Sequence, residues 1–269
     1  MNHLDELESQ SIYIIREAYN KFKNTGLLWS MGKDSTTLLW LCKKAFFGEI
    51  PFPVIHIDTS FKFKEIYDFR DKYSKEWNLN LIIEKNQQAL EAGTVPEKGR
   101  FECCTKLKTK AFKDVIEKHK LKAVLLGIRR DEHGIRGKER IFSLRSKDFN
   151  WNYSDQDAEV WDLYKSETGK GEHMRVHPML NWTELDVWKY VQRENIPMVG
   201  LYFSGYREKG KRFRSIGCEC CCNPVESKAD SIEKIVKELA ETKVAERSGR
   251  AQDKEKQYMM QKLRSMGYM

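Results

Sequence analysis

The chain lacks any apolar run that approaches the ~20 residues needed to span a bilayer. It also lacks internal repeats and low-complexity linkers. The segment from Met1 to Glu8 is polar and acidic, so we expect neither a secretory signal nor a transit peptide. With 40% apolar residues and a mean hydropathy of −0.67, the 269 residues predict a cytoplasmic globular protein with a substantial core and no membrane partner.

Charge and cysteine usage narrow the function without deciding it. The net charge of +8 suits a phosphate-rich ligand, whether nucleotide or nucleic acid, but a basic solvated surface gives the same value. Seven cysteines in a cytoplasmic chain do not predict a disulfide framework. Their placement is uneven: Cys42 stands alone, Cys103 and Cys104 are adjacent, and four more crowd into positions 218–222.

Residues 27–40 are the most informative stretch. A short apolar run typical of a buried strand leads into an amphipathic run typical of a helix. Between them lie a glycine, a lysine, an aspartate and hydroxyl residues, which suit an anion site at a helix N-terminus: Ser30, Gly32, Lys33, Asp34 and Ser35. The spacing is not that of a Walker A loop. The alternative is an ordinary glycine-containing turn between a strand and a helix.

The pattern along the first half predicts an α/β fold with a doubly wound, mostly parallel sheet. Strands are expected at about 27–29, 54–59, 79–83 and 123–128, with helices at 4–22, 64–77 and 106–119. Asp58 and Gly127 fall at the ends of two predicted strands, where open α/β sheets bind their ligands.

A basic run follows the strand at 123–128. It begins with Arg129, Arg130 and Asp131 and continues through Arg136 and Arg140. Such a run is often a solvated face, but directly after a core strand it suits a phosphate clamp. Residues 146–171 are predicted to be irregular.

The second half predicts a helical and cysteine-rich extension. Thr183 and Asp186 have the spacing of a capping box at the start of a helix. Residues 231–243 read as an amphipathic helix, and the charged tail is expected to be helical in part. We therefore expect one domain over residues 1–200 and a C-terminal extension over residues 201–269.

Several motifs together resemble the PAPS reductase and sulfate adenylyltransferase small-subunit family of PP-loop ATP pyrophosphatases. They lie at residues 29–35, 51–59, 128–132, 138–141, 178–184 and 246–250. The resemblance implies cleavage of ATP between its α and β phosphates, with Mg²⁺ held by Asp34. It implies these ATP-binding residues: Ser30, Gly32, Lys33, Asp34, Ser35, Asp58, Gly127, Arg129, Arg130, Asp131 and Arg140. Lys33, Asp34, Arg129 and Arg130 are the expected catalytic residues.

Two departures from the small-subunit pattern affect the interpretation. The segment 200–211 is shorter than in those subunits, which work with a GTPase partner. The chain also has Cys103-Cys104 and Cys218-x-x-Cys221, which resemble the [4Fe–4S] ligands of adenylylsulfate reductases and of the DNA-phosphorothioation branch. A zinc site or unligated thiols remain open. The catalytic cysteine that the reductases carry near their C-terminus is absent.

The acceptor of the adenylyl group decides the biology. We favour a nucleic-acid phosphate, in DNA, that is activated for sulfur incorporation, with a cysteine desulfurase or other sulfur-transfer protein as partner. The alternatives are sulfate adenylylation with a GTPase subunit, an iron–sulfur reductase, and a nucleotide-binding partner without catalysis. A homo-oligomer is expected. The roles of Cys42, Cys220 and Cys222 stay open.

Overall fold

Helices and strands alternate along the first half of the chain. The computed structural model describes residues 2–165, 167–250 and 259–268. The strands are β1 (Thr25–Leu28), β2 (Val54–Ile57), β3 (Leu81–Glu84), β4 (Ala123–Leu125), β5 (Phe142–Arg145), β6 (His173–Val176), β7 (Lys211–Arg212) and β8 (Val225–Glu226). The helices are α1 (His3–Phe22), α2 (Lys33–Ala45), α3 (Lys64–Glu76), α4 (Gln87–Glu91), α5 (Arg100–Cys104), α6 (Ala111–Lys118), α7 (Glu184–Glu194), α8 (Ile232–Glu241) and α9 (Met259–Ser265). A π-helical segment, Thr105–Lys110, joins α5 to α6.

Six strands form the central sheet in the order β3-β2-β1-β4-β6-β5. All neighbouring strands run parallel except β5, which pairs antiparallel with β6. From β1 the chain winds outward to β2 and β3, then crosses back to place β4 on the other side of β1. The predicted doubly wound α/β fold is confirmed. Its switch point lies between β1 and β4, which is where such sheets bind ligands.

The core fixes the end of β1 against the start of α2. Trp29 is fully buried and packs against Phe69 and Trp77. Its indole Nε1 donates a hydrogen bond to Thr36 Oγ1 at 3.1 Å. The loop between β1 and α2 is therefore anchored at both ends by buried side chains.

The predicted start of α7 is confirmed in detail. Thr183 accepts a hydrogen bond from the Asp186 backbone N–H, and the Asp186 carboxylate accepts one from the Thr183 N–H. Both orphan N–H groups at this helix end are thus satisfied by side chains. The predicted helix at 231–243 is present as α8, and the tail contributes α9.

Several elements differ from the predictions: α4, β7 and β8 were not expected, and two further differences bear on the site. The helix expected to begin at residue 106 begins at Arg100, because Cys103 and Cys104 are buried and extend its inward face. Strand β5 was not predicted, since its sequence belongs to a basic run. Arg145 at its end is nevertheless buried, because its guanidinium pairs with the buried carboxylate of Glu139 at 2.9 Å.

In the described part of the chain, no helix has both the length and the apolar character required to cross a membrane. The predicted division into residues 1–200 and 201–269 stays a prediction.

Candidate active site

The loop after β1 turns sharply into α2. Met31 has a left-handed backbone conformation with φ of 59°, and Gly32 caps the helix in an extended one. The backbone N–H of Lys33 donates to the Tyr202 hydroxyl at 2.8 Å. Because the first N–H groups of a helix lack intrahelical partners and carry partial positive charge, this turn can bind an anion.

Hydroxyl groups close the loop on itself. Ser35 Oγ lies 3.0 Å from Ser30 Oγ and accepts a hydrogen bond from the Ser30 N–H at 3.2 Å. It also donates to the Gly32 carbonyl at 3.1 Å. The loop is therefore held in shape by its own side chains.

Gly127 allows the end of β4 to approach this loop closely. A Cβ atom at this position would lie 2.8 Å from the carbonyl carbon and oxygen of Asp34 and 2.9 Å from the Ser35 nitrogen. These are backbone atoms at the start of a helix, so they cannot move aside cheaply. The role of Gly127 in this structure is to leave room for the loop.

Four charged side chains converge beside the loop. Lys33 Nζ lies 3.2 Å from an Asp34 carboxylate oxygen and also pairs with Glu246. Arg129, which is fully buried, pairs with both Asp34 and Glu246. Burial alone would raise the pKa of Glu246, but Arg129 and Lys33 outweigh it and hold that pKa below its usual value. The cations of this site are thus engaged by carboxylates.

Asp131 holds Arg129 from a third side. Its Oδ1 accepts a hydrogen bond from Arg129 Nε at 2.9 Å, and its Oδ2 accepts one from the Glu184 N–H at 2.8 Å. Because Glu184 begins α7, this carboxylate connects the arginine to the end of a helix. The guanidinium plane is therefore fixed by three acidic partners.

A cavity of about 160 Å³ opens in front of the loop. The loop residues Ser30, Gly32, Lys33, Asp34 and Ser35 line one part of it. Basic side chains line another part: Lys62, Lys108, Arg136, Arg247 and Arg250. Apolar side chains such as Leu28, Ile57 and Ile128 complete the wall. We call this cavity the PP-loop pocket.

The basic part of the PP-loop pocket is unevenly neutralised. Arg136 and Arg247 both pair with Glu132. Within the described residues, neither Lys62 nor Lys108 pairs with a carboxylate. Burial lowers the pKa of Lys62 to about 8. The two lysines leave positive charge available for an oxyanion ligand.

The sequence of this chain is similar to those of known proteins. The family model of the phosphoadenosine phosphosulfate (PAPS) reductase domain matches residues 24–224. Sulfate adenylyltransferase subunit 2 of Bacteroides fragilis is 42% identical, over 100% of this chain and 98% of the relative. The corresponding protein of Saccharophagus degradans is 40% identical with the same coverage. The chain belongs to the PAPS reductase domain family.

Solved structures show the same fold at lower identity. The PAPS reductase of Candida auris superimposes with a TM-score of 0.53 and 18% identity, covering 74% of this chain and 89% of the reductase. The FMN adenylyltransferase of Candida glabrata, bound to FAD and inorganic pyrophosphate, gives a TM-score of 0.57 and 18% identity, covering 82% of this chain and 65% of that protein. As predicted, this member of the PAPS reductase family is an ATP-using adenylyltransferase.

A second, smaller cavity lies beside the PP-loop pocket. It is lined by Cys103, Cys104, Cys218 and Cys221, together with Thr59, Pro96, Arg100 and Lys108. All four cysteines are buried, and none of the four forms a disulfide. The structure thus brings together two cysteine pairs that lie more than a hundred residues apart in the sequence. We call this the cysteine cavity.

The thiols of the cysteine cavity differ in acidity. Burial raises the pKa of Cys103 to about 12, and neighbouring Cys104 adds to the effect. Burial also opposes ionisation of Cys218, but Lys108, Lys62 and a contact with Thr59 Oγ1 at 3.2 Å outweigh it and lower its pKa to about 7. Cys218 is therefore the thiol best prepared to act as a thiolate.

The cysteine cavity has suitable ligands for a metal group but little room for one. Four thiols are a suitable donor set for zinc or an iron–sulfur cluster. The cavity, however, measures about 10 Å³, which is room for one water molecule. Among the residues that the structure describes, no group of three or more His, Cys, Asp or Glu side chains is placed to hold a metal ion. The four thiols therefore fit a metal group in donor type but not in the arrangement that the structure shows.

Five predicted ATP-binding residues lie outside the lining of the PP-loop pocket: Asp58, Arg129, Arg130, Asp131 and Arg140. Arg129 is linked to the pocket by its pairing with the lining residue Asp34, and Asp131 in turn pairs with Arg129. Asp58 Oδ1 accepts hydrogen bonds at 2.8 Å from the Ser60 N–H and from the Tyr67 hydroxyl. Arg130 donates to the Asn181 side chain, and Arg140 Nε donates to the Asp157 carbonyl at 3.1 Å. The nucleotide-binding roles of these five residues stay predictions, as do those of the residues that line the pocket.

The structure adds residues that the sequence reasoning did not single out. Glu246 and Arg250 belong to the quoted motif at 246–250, so that motif was the available signal. Lys62, Lys108 and Tyr202 had no such signal, because isolated lysines and tyrosines are common on surfaces. Only the fold places them around the loop.

Proposed function

We propose that the chain transfers the adenylyl group of ATP to sulfate, giving adenylylsulfate and pyrophosphate. The observation that carries this proposal is the PP-loop pocket, in which the N-terminus of α2 shares one cavity with Lys62 and Lys108, two lysines that have no carboxylate partner among the described residues. The curated relatives, which match over nearly their whole length, are named for this reaction. They support sulfate as acceptor over the nucleic-acid phosphate that the sequence alone led us to favour.

In the proposed reaction a sulfate oxygen attacks the α-phosphorus of ATP. The new O–P bond forms as the bond from the α-phosphorus to the bridging oxygen breaks, and pyrophosphate leaves with that electron pair. No proton has to move, so the enzyme acts mainly by positioning and by stabilising charge. The loop N–H groups and Lys33 would hold the β and γ phosphates, and Arg129 would face the α-phosphate.

Asp34 suits the Mg²⁺ that accompanies the triphosphate. It lines the PP-loop pocket and presents a carboxylate, which is the kind of oxygen ligand that Mg²⁺ binds alongside phosphate oxygens. When bound, the ion would neutralise charge on the β and γ phosphates. Lys62 and Lys108 would hold the acceptor oxyanion on the opposite side. The "subunit 2" designation of the relatives supports a partner subunit. We include such a partner in this proposal, and the family resemblance suggests that it is a GTPase.

The test is exchange of labelled pyrophosphate into ATP, catalysed by the purified chain with Mg²⁺ and sulfate. We expect exchange that depends on sulfate, together with adenylylsulfate detected by mass spectrometry. Exchange that ignores sulfate would remove sulfate as the acceptor. Release of ADP and orthophosphate as the main products would remove the adenylyl-transfer assignment altogether.

The cysteine cavity supports a second candidate, sulfur incorporation into DNA. Here a DNA phosphate oxygen is adenylylated, and a persulfide from a cysteine desulfurase attacks that DNA phosphorus and expels AMP. A second thiol then cleaves the S–S bond, forming a disulfide and leaving sulfur on the phosphorus. A thiol of low pKa next to the PP-loop pocket suits this chemistry, whereas sulfate adenylylation requires no cysteine.

Two measurements separate the candidates. DNA, rather than sulfate, should stimulate pyrophosphate release if the second candidate is correct, and digested DNA should contain phosphorothioate linkages. The second measurement is the metal content of protein purified without oxygen, which shows whether the cysteines bind a metal group. Iron and acid-labile sulfide that are lost on changing any of the four cysteines to serine would support a [4Fe–4S] cluster, and one equivalent of zinc would support a structural site.

A further inference from the structure

One short segment reaches three parts of the candidate active site, and we call residues 244–250 the strap. Its Glu246 pairs with Lys33 and Arg129. Its Arg247 Nη1 lies 3.1 Å from Glu132 Oε1. Its Arg250 Nη1 donates to Cys222 Sγ at 2.7 Å. The strap therefore connects the phosphate-binding cations to a buried thiol.

Glu246 engages the same cations that a triphosphate needs. The side chains of Lys33, Arg129 and Glu246 are 1%, 0% and 5% exposed, so water contributes little to their solvation. In such a site a second anion cannot share these cations without strong repulsion. Lys33 and Arg129 can therefore contact either the Glu246 carboxylate or the phosphate oxygens of a ligand, but not both at once.

The other end of the strap is held by a specific thiol contact. The Arg250 backbone forms an antiparallel bridge with Cys222, whose Sγ also accepts a hydrogen bond from the Gly217 N–H at 3.1 Å. Gly217 has no side chain, and a Cβ there would lie 2.5 Å from the Arg250 guanidinium. The glycine thus permits this contact. A single turn, Glu246–Gly249, separates the two ends, so movement of one is transmitted to the other.

We propose that Glu246 is an internal competitor of the ATP phosphates, and that its displacement shifts the strap and releases Cys222 from Arg250. The released guanidinium then becomes available to the acceptor in the PP-loop pocket, which Arg250 already lines. Nucleotide binding would thereby complete the acceptor site and uncover a thiol. The inference rests on the proposed function in one respect, since it takes ATP as the ligand of the loop.

The first test compares the binding of α,β-methylene-ATP with Mg²⁺ to three proteins: wild type, Glu246→Gln and Glu241→Gln. Glu241 is exposed on α8 and serves as the matched control. Removing a competitor raises the fraction of binding-competent protein, so Glu246→Gln should tighten binding by roughly 5- to 10-fold, while the control should not change it. A residue that merely positions Lys33 and Arg129 would instead weaken binding when it is changed.

The second test uses the wild-type protein and so does not depend on how the variant folds. Alkylation of each cysteine is measured by peptide mass spectrometry with and without the same analogue. We expect Cys222 to react several-fold faster with the analogue present, while Cys42, which is buried in the core, stays unchanged in both conditions.

The outcomes distinguish the inference from the proposed function. If wild type and Glu246→Gln both fail to bind the analogue, the proposed function falls and the inference falls with it. If wild type binds, but the variant does not bind more tightly and Cys222 reacts at one rate throughout, the inference alone is overturned.

Discussion

The two cavities of the candidate active site share one wall and differ in nearly everything else. Lys108 lines both the PP-loop pocket and the cysteine cavity. The first measures about 160 Å³, and its wall combines charged side chains and the loop at the start of α2 with apolar side chains. The second measures about 10 Å³ and is lined largely by thiols. Two kinds of chemistry therefore lie side by side in one fold.

The difference lies in how each cavity controls charge. In the PP-loop pocket, Asp34 and Glu246 hold the cations Lys33 and Arg129 in place, so a phosphate ligand has to replace carboxylate contacts. In the cysteine cavity, Lys108 has no carboxylate partner among the described residues and acts instead on Cys218. The pocket is therefore prepared for anion exchange, and the cavity is prepared for thiolate formation.

The largest effect is expected from Asp34→Ala. This change removes an acidic partner of Lys33 and Arg129 together with the expected Mg²⁺ ligand. Pyrophosphate exchange should fall by about 10²–10³-fold, which is typical for loss of a group that stabilises transition-state charge. Exchange assays at saturating ATP and Mg²⁺ provide the measurement. Retention of more than a tenth of the rate would show that Asp34 has only a structural role.

The second effect tests the close approach of Gly127. In Gly127→Ala the new methyl group meets the backbone of Asp34 and Ser35, so the loop has to shift. A displacement of this kind can cost roughly 10²-fold in rate, and overpacking costs about 1–3 kcal/mol of stability. Gly134→Ala is the matched control, because its Cβ would meet nothing within 4 Å. Equal losses in the two variants would contradict a role in placing the loop.

The third effect separates Arg129 from Arg130. Arg129→Lys keeps the charge but loses the planar fork that contacts Asp34, Asp131 and Glu246. We expect kcat to fall by about 10-fold or more while the KM for ATP changes little. Arg130→Lys should cost much less, since Arg130 donates to Asn181, whereas Arg129 pairs with the loop residue Asp34. Similar losses of kcat in both variants would restore Arg130 to the catalytic set that the sequence suggested.

The sequence predicted the part of the site that is local. The PP-loop could be found because Ser30 to Ser35 are contiguous, and the switch point followed from the alternation of strands and helices. The basic and acidic residues that complete the pocket could not be placed in this way. Lys62, Tyr202 and Glu246 lie far apart in the chain, and each becomes informative only when the fold sets it against the loop.

The helix that carries the cysteines shows a different limit. Its first turn contains the charged residues Arg100 and Glu102 and no clear helical period of apolar residues, so the local pattern does not predict a helix that begins at Arg100. The structure buries Cys104 against Met260 and Leu263, and Leu263 lies in α9 near the end of the chain. A contact across so great a sequence separation stabilises a helix that local propensity does not favour.

The smallest expected effect is a change in the pKa of Cys218, which is measured without ATP turnover. Cys218 should ionise with a midpoint near pH 7, so thiolate absorbance should rise as the pH increases through that value. Subtracting the titration of a Cys218→Ser variant isolates this signal from the other thiols. In Lys108→Met the neighbouring positive charge is lost while burial remains, so the midpoint should move upward, toward or beyond the ordinary thiol value of about 8.5. Lys106→Met is the matched control, since Lys106 is exposed and pairs with Glu102 on the helix surface. A midpoint that stays near 7 in Lys108→Met would mean that the lysine shared by the two cavities does not couple them, and that the acidity of Cys218 arises from Lys62 and Thr59 instead.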